Sequence, residues 1–381
     1  MATSSAAVVN HININSQHPI SDTFMPSVAT TKNAVQTKSS IKLNSTKSKV
    51  GSSNVLTSGL TLAQIKDGLS RAQKFYNSKG RLPNYVSYGT RKIPISQFQK
   101  ILASKGLKII IKSSTTKLNT QIHGYWINNG PSVLNKINIV NLKNSGITDI
   151  FVLTNKLDPK GTLQPFIDAF SGSGIKVHAW IVCFKNNGNW YDPGTNPTLV
   201  NNLDNNIISI AKNYNVDGIQ LDYVRYPGTA YKHANATEIV TSFVQNIYNN
   251  IQKINNQKIS GKHKILLSAA LMPECDKNAY YYGQDYSKLA PYLNFLVPMI
   301  YKGNYNQNTA WIGTITHYIV QHSMGTPVVA GIQTYLSDAK PTPLPANELN
   351  NDIIVAIKNG SSGYILFKYG LVDNTIQSFP N

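Results

Sequence analysis

Asp217-Gly218-Ile219-Gln220-Leu221-Asp222-Tyr223-Val224-Arg225-Tyr226-Pro227 alternates apolar Ile219 and Leu221 with polar Gln220 and Asp222. Successive side chains of a strand point to opposite faces. The apolar pair therefore belongs against covering helices, and Gln220 and Asp222 belong on the other face. Working outward, strand-like segments of similar length recur at 123–128, 149–155, 176–184, 265–273, 295–301, 327–335 and 363–370. Helical stretches such as Pro131–Gly146 and Ala236–Ile254 lie between them. That makes eight strands, each but the last followed by a helical connection, which matches a closed (β/α)₈ TIM barrel over 122–381. A doubly wound sheet is the alternative, but no Gly-rich phosphate fingerprint follows the first strand, so no nucleotide site is expected.

Active sites of such barrels lie at the C-terminal strand ends. A lumenal carboxylate at Asp222 is costly unless paired or used. It is the first catalytic candidate, with a structural Asp held by Arg225 or a backbone amide as the plainer reading. Asp217, at the strand start, is expected to be structural. The chain has three glutamates: Glu238 and Glu348 fall in helical segments, and Glu274 alone ends a strand. Glycoside hydrolysis usually needs one protonated and one ionised carboxyl, so Asp222 and Glu274 form the preferred pair. Asp276 and Asp285, on the same loop, are the substitutes for Glu274. Trp126, His178, Trp180, Gln220, Arg225, Tyr301, Gln333 and Tyr335 supply the aromatic and polar groups that suit sugar faces and hydroxyls. Each of them also has a core-packing reading, which for Phe367 is preferred; a histidine at His178 is more often a satisfied core residue than a base. No two histidines share a strand or a helical turn, so no metal and no cofactor are expected. The two cysteines, Cys183 and Cys275, end separate strands with strand four between them, which favours buried thiols over a disulfide.

His178-Ala179-Trp180, the 217–227 run, Pro298-Met299-Ile300-Tyr301 and Gly331-Ile332-Gln333-Thr334-Tyr335 resemble glycoside-hydrolase-like barrels related distantly to the α-amylase and chitinase barrels. In that group the strand-four aspartate, here Asp222, is the catalytic carboxylate that the resemblance implies. Family 18 chitinases use a strand-four pattern with two further acids. Gln220 and Val224 stand where those would fall, so the resemblance does not imply chitinase-type substrate-assisted catalysis.

The first third of the chain is different. Residues 1–121 hold 17 Lys or Arg against 2 Asp or Glu, a net of +15, whereas 122–381 hold 19 against 15, a net of +4. Such a field attracts a polyanion. No zinc-ligand spacing or aromatic-basic module points to nucleic acid. Residues 1–57 are a Ser, Thr, Asn and Lys-rich stretch expected to be a disordered leader. At 58–112 the pattern becomes helical: Thr61 caps a run of Leu62, Ile65, Leu69, Ala72, Phe75 and Tyr76 that Gly80 stops, Leu82–Val86 is extended, and a second helix from Pro94 carries Phe98, Ile101 and Leu102. The helix, the Arg81-Leu82-Pro83-Asn84-Tyr85-Val86 run and the second helix resemble the pseudomurein-binding repeat of methanogen wall proteins. The resemblance implies binding to pseudomurein, a peptide-cross-linked glycan containing a uronic acid, through Arg81, Leu82, Pro83, Asn84 and Tyr85. Residues 113–121 read as a linker.

These features point to a cell-wall-targeted glycosidase acting on pseudomurein or a related archaeal wall glycan. A non-catalytic wall-glycan-binding protein is the second reading. A peptidase built on Cys183 and His178 is the third, disfavoured because five residues along a strand puts the two on opposite faces. No segment is long and apolar enough to span a membrane. Met1–Ile20 lacks the basic and apolar regions of a signal peptide, so an extracellular or wall location would be reached by another route, such as lysis.

Overall fold

The computed structural model describes residues 59–79, 82–105, 107, 109, 121–186, 188–257, 263–372 and 378–380. The polar leader 1–57 and all of the linker 113–121 except Gln121 lie outside them. The described residues form two compact units.

In the N-terminal unit a helix spans Leu62–Lys79. Thr61 caps it reciprocally: its hydroxyl accepts from the Gln64 amide at 3.2 Å, and its own amide donates to Gln64 Oε1 at 2.8 Å. An antiparallel hairpin follows, Tyr85–Tyr88 against Arg91–Pro94, with Val86 opposite Ile93. The sequence suggests only one extended segment here; the second strand forms because Gly89, at φ +61°, reverses the chain in two residues. A helix over Ile95–Ala103 closes the unit. Its core joins Ile65, Ala72, Val86, Ile93, Phe98, Ile101 and Leu102.

In the C-terminal unit eight parallel strands close into a barrel. They are β1 (Ile122–Ile127), β2 (Asp149–Leu153), β3 (Lys176–Val182), β4 (Gly218–Asp222), β5 (Leu266–Leu271), β6 (Phe295–Ile300), β7 (Ala330–Gln333) and β8 (Gly363–Phe367). Each pairs with its successor, and β8 pairs with β1 through Gly363 beside Ile122. Outward side chains such as Ile150, Ile219, Leu221 and Leu267 pack under helices that include Pro197–Asn213 and Ala236–Asn255. Inward ones form a second core of Trp126, Phe151, Trp180, Phe295, Val297, Ile365 and Phe367. The lumen is therefore filled, as a barrel of this size requires, and chemistry is confined to its C-terminal mouth.

Candidate active site

Asp222 ends β4 and is 2% exposed. Its Oδ2 accepts from the Trp180 indole N–H at 2.8 Å, and its Oδ1 from the Tyr223 amide at 2.7 Å. One step down the same face, Gln220 Oε1 accepts from the Trp126 indole N–H. The Gln220 amide nitrogen and the hydroxyl of Ser268, paired with it across β4 and β5, have no hydrogen-bond partner among the described residues. Under the carboxylate lies an aromatic floor. Trp126 is 6.3 Å from Trp180 and 5.9 Å from Phe367, and Tyr301 stacks on Phe367 at 5.3 Å. The structure thus brings Trp126, Trp180, Gln220, Asp222 and Tyr301 together.

Strand alternation fails just past Asp222. Tyr223 adopts φ +52°, which a residue with a large side chain rarely does. As a result Val224 turns into the helix-facing core, 0% exposed, and Arg225 comes to the mouth. The Arg225 guanidinium lies 4.7 Å from the Trp190 ring, 5.1 Å from Tyr282 and 5.4 Å from Tyr223. It donates to the Tyr226 carbonyl at 3.1 Å, so of the two partners in the plainer reading of Asp222 the structure shows the backbone amide, that of Tyr223, and not Arg225. Lys185 adds its ammonium over Tyr223 at 5.2 Å.

Glu274 follows β5 by three residues. Its Oε1 accepts from the Tyr305 hydroxyl at 2.6 Å and from the Tyr282 hydroxyl at 3.2 Å. Its Oε2 is buried and has no partner among the described residues. Burial raises its pKa above the ordinary glutamate value, outweighing the opposing pull of Tyr305, Arg225 and Tyr282. A carboxyl in such a setting keeps its proton to higher pH, as a general acid must. The two substitutes are committed elsewhere. Asp285 caps the helix Tyr286–Leu289 through the Ser287 and Lys288 amides, and Asp276 is 70% exposed beside Lys277.

The remaining sequence candidates divide. His178 is wholly buried below the floor, stacked on Phe151 at 4.4 Å and bonded to Asp149 at 2.8 Å through Nε2. A Cβ at Gly218 on the next strand would come within 2.1 Å of its Nδ1, so the ring fills space that only glycine leaves. It is a core histidine, and its placement gives no support to the substrate contact suggested above. Gln333 exchanges hydrogen bonds with Asn304, and the Tyr335 hydroxyl donates to Asp338 at 2.6 Å. Both brace the loops after β6 and β7. Asp217 accepts from the Val177 amide at 2.9 Å, a structural role as expected. Cys183 and Cys275 are free thiols. Burial pushes the Cys183 thiol far up in pKa, the reverse of what a nucleophile needs. A cleft of about 600 Å³ on the flank is lined by Lys156, Lys160, Asn206 and Tyr214 among others, but by no acid. Among the described residues no cluster of His, Cys, Asp and Glu is arranged to hold a metal.

Sequence reasoning missed Tyr305, Tyr282, Trp190 and Lys185, which reach the mouth from loops. The only signal was Trp190, one of four tryptophans in the chain, set in a polar loop. In the N-terminal unit Leu82 packs against the core and Asn84 is exposed. Tyr85 is 44% exposed with the Lys92 ammonium 4.8 Å over its ring, and Arg81 lies outside the described residues.

Residues 121–363 match the family model of the glycosyl hydrolases family 18, and residues 57–88 match that of the pseudomurein-binding repeat. A search of curated proteins finds no match. Among solved structures, a class V chitinase from Pseudomonas fluorescens Pf-5 superposes with a TM-score of 0.50 at 12% identity, covering 68% of this chain and 98% of that one. The glycoside hydrolase domain of PgaB (BpsB) from Bordetella bronchiseptica superposes at 0.52 with 11% identity, covering 69% and 99%. At that identity these likenesses speak for the fold alone.

Proposed function

The chain belongs to the glycosyl hydrolases family 18, and from that premise we propose that its barrel cleaves glycosidic bonds of pseudomurein, with Glu274 as general acid and Asp222 as nucleophile or base. That it is a cell-wall-targeted glycoside hydrolase follows from the family barrel joined to a pseudomurein-binding repeat. The polymer and the chemistry are the proposal. The observation that carries it is the contrast between two carboxyls on neighbouring strand ends. Asp222 accepts from two N–H groups, whereas Glu274 sits in a desolvated pocket that favours its proton. Burial that keeps the proton on Glu274 suits that carboxyl to the acid's role. Gln220 and Val224 occupy the positions of the further strand-four acids, and Val224 points away from the mouth. In this reading proton donation to the leaving oxygen comes from another strand end, that of Glu274.

The wall-binding repeat raises the barrel's local concentration on the polymer, and the basic N-terminal third suits an acidic glycan. Localisation at the wall follows from the same repeat. No helix among the described residues is long and apolar enough to cross a membrane. Delivery to the extracellular face, by lysis or otherwise, belongs to the proposal.

The same Gln220 and Val224 favour a second reading, a barrel that grips wall glycan without turnover. Purified pseudomurein sacculi incubated with wild type and with Asp222→Asn separate the two. New reducing ends from wild type, reduced at least ~100-fold in the variant, support the glycosidase. Binding without products supports the second reading. Free amines without reducing ends would make the protein a peptidase and overturn both.

A further inference from the structure

Two cations stand at the barrel mouth over the same two rings. A short hairpin after β3 pairs Lys185 with Trp190, and the turn after β4 carries Tyr223 and Arg225. Trp190 and Tyr223 pack at 5.2 Å. The Arg225 guanidinium lies 4.7 Å from the first ring and 5.4 Å from the second. The Lys185 ammonium lies 5.7 Å and 5.2 Å from them. This cluster borders both carboxyls. Tyr223 donates its amide to Asp222, and Tyr282, whose ring is 5.1 Å from the guanidinium, donates its hydroxyl to Glu274.

The guanidinium has more donors than the protein uses. It carries five N–H groups in a planar fork, and its hydrogen bond among the described residues goes to the Tyr226 carbonyl. Its Nε is buried without a partner, and no carboxylate among the described residues forms an ion pair with it. An unmade bond to a buried charged group costs free energy, and a bound anion would recover it. Arginine suits a carboxylate because its fork matches two oxygens, and stacking on rings leaves that fork fixed in direction. Lys185 adds a second positive charge to the same place. A neutral sugar would gain little from either.

We propose that Arg225 and Lys185 bind the carboxylate of an acidic sugar unit that adjoins the scissile bond, so that the barrel itself, and not only the wall-binding repeat, selects uronic-acid units of the strand. The proposal rests on the glycosidase reading and deepens it by naming the unit beside which the bond is cut. A carboxylate on a cross-linking peptide offers the same chemistry and is the other source to be separated. The other role of Arg225, a brace among three rings of the mouth, predicts losses that do not depend on the charge of the sugar.

The test uses the full chain throughout, so that the wall-binding repeat is common to all variants. Peptide-free strands of pseudomurein are prepared in two forms, native and with the sugar carboxyls reduced to alcohols, and kcat/KM for each is read from reducing ends. Arg225→Gln should lower the native-to-reduced ratio about tenfold, the loss of a charged hydrogen bond. Arg225→Lys should recover part of it, since the charge returns without the fork, and Lys185→Gln should lower it by a smaller factor. Where a melting scan shows Arg225→Gln unfolded, Arg225→Lys and Lys185→Gln decide by the same ratio. Lys253→Gln removes an equal charge from the last turn of the helix Ala236–Asn255; an equal fall there would reduce the effect to net charge and overturn the proposal. Equal losses on both forms, with the ratio unchanged, make Arg225 a brace and leave the glycosidase reading standing. A preference seen only with peptide-bearing strands gives the carboxylate to the peptide and overturns the sugar assignment. No reducing ends from either form with wild type overturns the glycosidase reading and the proposal with it.

Discussion

Replacing Tyr305 by Phe tests the assignment of Glu274 without removing a carboxyl. The Tyr305 hydroxyl donates to Glu274 Oε1 at 2.6 Å, within the range of a charge-assisted O–H···O⁻ bond. Such a bond stabilises the ionised carboxylate and therefore works against burial. A hydrogen bond to a charged group is worth about 1.5–3 kcal/mol, and every 1.4 kcal/mol is a factor of ten. Losing it should raise the protonated fraction of Glu274 at alkaline pH by about tenfold or more. If Glu274 is the general acid, the alkaline limb of kcat/KM against pH moves upward, while the acidic limb, governed by the base, stays in place. Tyr282→Phe should move the same limb in the same direction but less, because its contact is longer at 3.2 Å. The assay is release of reducing ends from soluble wall glycan across pH. An alkaline limb that stays put or falls in Tyr305→Phe would refute the assignment, and movement of the acidic limb instead would make Glu274 the base.

Glu274→Gln should stabilise the fold at neutral pH while abolishing turnover. Burial lifts the native pKa above the unfolded one, so the stability linked to Glu274 is complete below the unfolded pKa of about 4.3 and is lost as pH rises through the native value. Thermal scans should show the variant above wild type at pH 8 and level with it at pH 3; a gap of equal size at both would sink the argument. Lys302→Met should cost about 3–5 kcal/mol in denaturant unfolding, because it strips Asp352, itself 0% exposed, of a partner at 2.7 Å and Glu348 of another. A loss under about 1 kcal/mol would mean that the buried network holds without its lysine. Cys183→Ala should retain glycan cleavage, since the thiol is buried and points into the helix-facing core; abolished activity in a folded variant would reopen the peptidase reading.

The barrel was legible because its signal is repetition. Alternation in Ile219-Gln220-Leu221-Asp222 sends the first and third side chains to the outer core and the second and fourth to the lumen. Asp222 was legible for the same reason, being the last residue before regular alternation stops. Beyond it Arg225 was a candidate by residue type, but the turn that brings it to the mouth was not legible. A positive φ at Tyr223 inverts the expected facing of Val224 and Arg225, and no pattern in the sequence announces it. His178 shows the opposite failure. It does share the lumenal face with Trp180, but two residues along a strand separate a buried layer from the mouth, and the partner that fixes it, Asp149, opens a different strand. Tyr305 and Tyr282 reach Glu274 from 31 and 8 residues away in sequence. Loop contacts of that kind have no period to detect.

Glu274 sits at the junction of what is shared with the family and what is particular to this chain. A carboxyl placed on β4 two residues beyond Asp222 would have to share the turn that Tyr223 makes. In this chain that turn carries Val224 outward, so an acid at the position would be buried in the helix-facing apolar core. In the proposed reading the acid stands after β5 instead. There it meets two tyrosine hydroxyls and the field of Arg225, enough polar contact to be held in position, while burial still keeps its proton. The arrangement also ties acid strength to loop geometry. Tyr305 is carried by the segment after β6, where Lys302 is locked to Asp352 and Glu348, so loosening that network should weaken the Tyr305 contact and alter the acidity of Glu274. Lys302→Met should therefore move the alkaline limb in the same direction as Tyr305→Phe, although Lys302 makes no hydrogen bond to either carboxyl of the pair.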